Sequence, residues 1–220
     1  MSSKFFTNNN DRNLFDKFKG IIEHMKDLYA FHAVVGYFRS SGYFALQPHL
    51  ENIKEIKILV GINVDQMFAE AQRKGLLYFG DENKTKDEFL KWFIQDIKEA
   101  KYSEQVEKGV LQFINDLMKG RIEVRAHNSK AIHAKFYLFL PEKHTTHSDG
   151  WVIMGSSNLT EAGLGIKKSP NYELNIALKD FDDVEFTKKE FIALWEQSTP
   201  ILPADIQQFK QKTHIGQTFT

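Results

Sequence analysis

AIHAKFYLFL at 131–140, GWVIMGSSNLTEAGLG at 150–165 and NYELNIAL at 171–178 form the stretch that decides how this chain is read. Each segment has the apolar composition of a strand, and each carries a polar pair two residues apart. The pairs are His133 and Lys135, Ser156 and Asn158, Glu173 and Asn175. On a strand, residues i and i+2 point to the same face. Three neighbouring strands would therefore aim imidazole, ammonium, hydroxyl, amide and carboxylate groups at one spot. Unlike polar groups are costly to gather on a sheet face without a purpose. The pattern reads as an anion site suited to chemistry on a phosphodiester.

Outward from this stretch, strands and helices alternate. IEVRAH at 122–127 is a further strand, AFHAVVGYF at 30–38 a buried strand ending at a Ser-Ser-Gly turn, and IKILVGIN at 56–63 a second buried strand. Near-continuous apolar runs separated by helices imply a sheet covered on both faces, as in α/β folds. Residues 11–29 place Leu14, Phe15, Phe18, Ile21, Ile22, Met25 and Leu28 at helical spacing, with Asn or Asp as the cap. A short helix is expected over 43–53. Residues 64–120 are helical and more surface-like, lying across the sheet or forming an insertion. Thr85 and Glu88 make a capping box there, before a stripe of Phe89, Trp92, Phe93 and Ile97. Val106, Val110, Leu111, Ile114, Leu117 and Met118 make a second stripe, closed by Gly120. These aromatics read as core rather than as a cofactor box. Residues 183–198 form another helix, with Thr-Pro and Leu-Pro breakers and a short helical stretch at 203–212 beyond it. HTTHSD at 144–149 reads as a solvated hairpin loop rather than a metal site.

Composition narrows the class. The chain has 220 residues, 42% hydrophobic and 26% charged, which suits one sizeable core. With no cysteine, neither disulfides nor a thiolate zinc site holds it together. The opening MSSKFFTNNNDR lacks the apolar stretch of a secretory signal, and no segment reaches the length of a membrane span, so a soluble cytoplasmic protein is expected. Lys and Arg total 29 against 29 Asp and Glu, a neutral balance that counts mildly against a dedicated nucleic-acid binder. The charges are unevenly placed. Lys119, Arg121, Arg125, Lys130 and Lys135 fall between 119 and 135 with His127 and His133, against the single acid Glu123.

His-x-Lys alone says little, since about one such triplet is expected by chance in this composition. A second, His24-x-Lys26, falls on an expected helix, where i and i+2 diverge. Gly155-Ser156-x-Asn158 is much rarer, and Glu173 lies on the strand after it. His133-x-Lys135, then Gly155-Ser156-Ser157-Asn158, then Asn171-Tyr172-Glu173-Leu174-Asn175 resembles the signature of the phospholipase D superfamily. The nearest likeness is to its bacterial nuclease-type members, namely metal-independent restriction endonucleases and the modules at the front of bacterial helicases. The motifs cover residues 133–175, and two features depart from the family pattern. Leu140 stands where His-x-Lys-x4-Asp has its acid, and only one such motif lies on a strand, whereas the family's site uses two histidines.

The resemblance implies an α/β fold with a central mixed β-sheet flanked by helices on both faces. It implies one such domain over 1–198, with 199–220 a tail or the start of a linker. His133 would be the nucleophile and would form a phosphohistidine. Glu173 is the best carboxylate to fix its tautomer and stabilise the resulting cation. Lys135 and Asn158 would hold non-bridging phosphate oxygens, with Ser156 a weaker third donor and Arg125 and His127 as further substrate contacts. His127 is also a local rival for the acid role, a strand away. No metal or other cofactor is expected. One imidazole cannot sit on both sides of an in-line displacement, so a homodimer supplying His133 twice is expected. The expected partner is nucleic acid, DNA ahead of RNA, with a helicase domain in the same or a partner chain and no membrane. The alternative is a weakly active or inactive nucleic-acid-binding or interaction module of a helicase- or restriction-type protein. Lipid hydrolysis ranks lower, because no amphipathic helix with a basic face is visible.

Overall fold

The computed structural model describes residues 3–8, 13–36, 38–61, 86–87, 90–91, 104–127 and 132–201. β-Branched and aromatic runs form the strands β1 (Phe5–Thr7), β2 (Leu28–Val35), β3 (Glu55–Gly61), β4 (Ile122–His127), β5 (Lys135–Pro141), β6 (Trp151–Gly155), β7 (Leu174–Leu178) and β8 (Thr199–Ile201). They make a mixed sheet in the order β1-β7-β6-β5-β2-β3-β4-β8. β2, β3 and β4 run parallel, and the remaining pairings are antiparallel. Parallel neighbours need crossover connections, whereas β5, β6 and β7 follow one another as antiparallel neighbours.

Helices α1 (Leu14–His24), α2 (Ser40–Leu46), α3 (Glu104–Met118) and α4 (Glu161–Leu164) cover one face, and α5 (Phe181–Glu196) covers the other. A 3-10 turn, Gln47–His49, extends α2. Asn13 caps α1 by accepting from the Asp16 amide at 2.9 Å, as the Asn/Asp cap expectation requires. Fully buried Phe18 of α1 sets its ring against Phe31, Tyr137 and Phe139 at 5.8, 4.8 and 5.3 Å. Burying such a ring is worth about 1.5–3 kcal/mol. On the opposite face, Val184, Phe191 and Trp195 of α5 pack on Ala30, Val34, Leu59, Leu138 and Val152. Two separate apolar layers therefore bury the sheet from both sides, which is the fold class expected from the uninterrupted strand runs.

Several boundaries differ from the sequence reading. β5 begins at Lys135, so His133 lies before the strand rather than on it. The expected helix over 43–53 is α2 with its 3-10 turn. Thr199–Ile201, placed in a tail, pair with β4 as an edge strand, because Pro is tolerated where no ladder donor is needed. The loop containing His144 is not wholly solvated. The His144 ring is buried, shares a 2.7 Å hydrogen bond with Glu185 Oε1 and stacks on Phe181 at 5.0 Å. Gly120, with φ of 68°, ends the α3 region in the left-handed conformation that glycine tolerates best. The Phe89–Ile97 stripe and the stretch at 203–212 fall outside or mostly outside the described residues. No helix among the described residues is long and apolar enough to cross a membrane.

Candidate phosphate site

Strand direction brings the singled-out residues to one end of the sheet. Parallel β2, β3 and β4 finish there at Val35, Gly61 and His127; antiparallel β5 and β7 start there, and β6 ends there. The register sets Lys135 opposite Gly155 and Gly155 opposite Asn175. His133, Lys135, Ser156, Asn158 and Glu173 consequently lie on three adjacent strands or at their mouths.

Two glycines make this end passable. A Cβ added to Gly36 would meet the Ile132 carbonyl oxygen at 3.0 Å, Lys135 Cε at 3.5 Å and Asn158 Oδ1 at 3.7 Å. A Cβ on Gly61 would meet Ile132 Cβ at 3.0 Å. Bare backbone at the ends of β2 and β3 thus lets the segment bearing His133 cross over them, and Lys135 and Asn158 converge above Gly36. His133 is exposed, and the Lys135 ammonium donates to its carbonyl oxygen at 2.8 Å. Gly155 is equally constrained, since a side chain there would run into the Leu174 carbonyl oxygen and Asn175.

The Gly-Ser-Ser-Asn turn is held from beneath. Ser157 is fully buried; Asn175 Nδ2 donates to its Oγ at 2.9 Å, and the Tyr137 hydroxyl donates to its carbonyl at 2.8 Å. Burial, followed by the charge of Glu173, raises the Tyr137 hydroxyl far above the ordinary tyrosine range, so it stays a protonated donor. Ser156 and Asn158 flank this anchored residue and are presented at the surface. Beyond them, Thr160 caps α4 by accepting from the Gly163 amide at 2.9 Å, and Gly42 lets α2 approach Leu159. Glu173 accepts a hydrogen bond from Ser156 Oγ, whose oxygen in turn accepts from the Leu174 amide at 3.1 Å. In this geometry the Glu173 carboxylate is engaged by Ser156.

His127 and Arg125 fall elsewhere. His127 is at the same end but fully buried beside Gly61, beneath the surface that a phosphate could reach. Arg125 projects from the middle of β4 toward α5, donates to the Trp195 carbonyl at 3.0 Å and lies over the Trp195 ring at 4.7 Å. Among the described residues no group of three or more His, Asp or Glu is placed to hold a metal ion. Sequence reasoning passed over Gly36 and Gly61, Tyr137 and Ser157, although a glycine closing each buried run was a legible signal.

Fold and site define an α/β domain presenting phosphate-type donors, an imidazole and a carboxylate at one end of a mixed sheet. The chain belongs to the phospholipase D-like family: the family described as "Cardiolipin synthase, PLD-like domain" matches residues 55–195, more than half of its 220 residues. A search of curated proteins finds no match. Among solved structures, the chain is similar to Nuc from Salmonella typhimurium, a phospholipase D family member, at 12% identity and a TM-score of 0.43, covering 84% of this chain and 88% of that one. It is similar to NucT from Helicobacter pylori at 12% identity and 0.47, covering 89% and 96%. It is also similar to TrmBL2, an archaeal chromatin protein with a novel mode of DNA binding, at 14% identity and 0.42, covering 91% of this chain but 54% of that one.

Proposed function

We propose that the protein is a metal-independent phosphodiesterase acting on nucleic acid through a phosphohistidine on His133, with a site completed by a second copy of the chain. The observation that carries this is the convergence of Lys135 and Asn158 over Gly36, next to exposed His133. A neutral imidazole attacks phosphorus while an ammonium and an amide N–H take up the charge growing on the non-bridging oxygens. Glu173, now bonded to Ser156, is the carboxylate available to stabilise the imidazolium once a phosphate engages the Ser156 hydroxyl. Exposed Lys167 and Lys168, in the loop running from α4 to Glu173, suit a polyanionic substrate. Leu140 is buried on the α5 side of the sheet, so the family acid has no counterpart there.

The leaving oxygen needs an acid, and His133 of a second copy is its proposed source. Phe5, Tyr172 and Leu174 are 58%, 67% and 48% exposed on and beside β1 and β7, an apolar rim next to the incomplete site that suits a partner surface. The test is cleavage of DNA, RNA and phospholipid in excess chelator, by wild type and His133→Ala. Nucleic acid should be cut, and the substitution should lower kcat by about a thousandfold or more while the fold persists. Loss of wild-type activity in chelator would refute the mechanism, and binding without cleavage would establish an inactive module.

A further inference from the structure

Residues 171–173 lie outside the β7 ladder, yet they carry the carboxylate of the site. Their backbone is fixed by a side chain more than 160 residues away in sequence. Asn8, just beyond β1 and only 8% exposed, accepts from the Glu173 amide with its Oδ1 at 3.1 Å and donates from Nδ2 to the Asn171 carbonyl at 3.1 Å. One carboxamide thus bridges the peptide groups on both sides of Tyr172. Tyr172 is itself 67% exposed and gives the segment little packing. From the other side, Leu174 and Ser156 exchange bonds: the Leu174 amide donates to Ser156 Oγ, and the Ser156 amide donates to the Leu174 carbonyl at 3.2 Å. β1 sets the position of Asn8 by pairing Phe5 with Ile176 and Thr7 with Leu174, and the Ala177 amide donates to the Lys4 carbonyl at 2.9 Å.

We propose that Asn8 is a positioning residue of the candidate site, holding Glu173 in place through the backbone of 171–173. This deepens the phosphodiesterase reading and rests on it. A buried carboxamide with both ends engaged has a strong geometric preference, and removing it leaves a backbone N–H and C=O without their partner. The carboxylate is only as well aimed as that segment, and misplacement by about 1 Å costs about a hundredfold in an oriented reaction. Because Asn8 touches no reacting atom, its loss should act on kcat rather than on substrate capture.

The experiment uses the full chain, with Asn8→Ala, Asn8→Asp, Glu173→Gln and the double variant Asn8→Ala with Glu173→Gln, on a chromogenic phosphodiester and on DNA. Asn8→Ala should lower kcat at least about tenfold with KM within about twofold. Asn8→Asp, which keeps an acceptor for the Glu173 amide, should recover part of that loss. In the Glu173→Gln background, Asn8→Ala should change kcat by less than about twofold, because residues acting through one group are not additive. An activity-independent arm measures amide hydrogen exchange. The Glu173 amide should exchange at least about tenfold faster in Asn8→Ala, while β3 amides stay as in wild type. Additive losses in the double variant, or unchanged exchange at Glu173, overturn the assignment. A wild-type chain that cleaves no phosphodiester refutes the function instead, and the exchange arm then decides alone whether Asn8 holds the segment.

Discussion

Gly155 shows how one backbone position can carry both the sheet and the site. It ends β6, faces Lys135 on one side and Asn175 on the other, and precedes the serine that bonds Glu173. A methyl group there would run into the Leu174 carbonyl and Asn175, both of them main-chain or buried groups that cannot swing away. Gly155→Ala should therefore destabilise the protein by about 1–3 kcal/mol, the usual cost of forcing an extra methyl group into closely packed surroundings. Activity should fall further than that loss of fold explains, because the strand end must part from β7 and carry Ser156 with it. Urea unfolding and kcat measured on the same preparation separate the two effects. A variant with wild-type stability and turnover would show that the close approach is not required. Buried Ser157 illustrates the opposite case, a residue whose neighbours in sequence are presented at the surface while it is tied down from below.

At the scale of elements, the α/β layering was readable because β2, β3 and β5 are continuous apolar runs and α1 and α5 keep an apolar stripe. The one-ended gathering of His133, Lys135, Ser156, Asn158 and Glu173 was readable too, because antiparallel neighbours return to the same edge. Other features depend on contacts distant in sequence. β1 and β8 are three residues each and exist only by pairing with β7 and β4. His144 is polar in sequence but is buried by α5, and Arg125 looks like a phosphate contact until Trp195 is placed over it. His32 on β2 is a similar case, and it makes a testable prediction. Its ring stacks on Phe191 at 4.5 Å and shares a 2.6 Å hydrogen bond with Glu55. Burial pulls the His32 imidazole below the usual histidine range, against the opposing pull of Glu55. Glu55 falls to about 2, chiefly through the hydrogen bond with His32, with burial opposing it and Lys57 adding to it. A histidine depressed in the folded state takes up its proton first in the unfolded chain, so its linkage lowers stability as pH falls through about 6.5. The Glu55 contribution, present above about 4.3, is lost only lower down, toward its folded value. Between pH 7 and pH 5 the wild type should lose stability through His32. His32→Gln keeps an N–H for Glu55 without titrating, and should lose less. Equal shifts of the urea midpoint in the two proteins would remove His32 from the acid response.

At the scale of the whole molecule, the question is whether one copy of this sheet end suffices. In the proposed mechanism a single His133 would either attack phosphorus or protonate the leaving oxygen, because the two events occur on opposite sides of the phosphate. A two-fold dimer places identical patches together and so supplies both imidazoles from one motif. It would also cover the apolar rim of Phe5, Tyr172 and Leu174 left exposed on and beside β1 and β7. This arrangement makes a prediction distinct from that of a self-sufficient monomer. If His133→Ala chains are mixed with wild type, refolded together and allowed to pair at random, each mixed dimer holds one His133 and is inactive. At equal amounts of the two chains, activity per wild-type chain should then fall to about half, so that total activity is about a quarter of that of an all-wild-type sample at the same total concentration. A monomeric enzyme, or a dimer with two independent sites, would instead retain about half of the total activity and track the wild-type fraction linearly. Sedimentation velocity at micromolar concentration on the same mixtures reports whether pairing occurs. A quadratic dependence on wild-type fraction, together with a dimer boundary, would mean that the site formed by Lys135, Asn158 and Glu173 is shared between two chains.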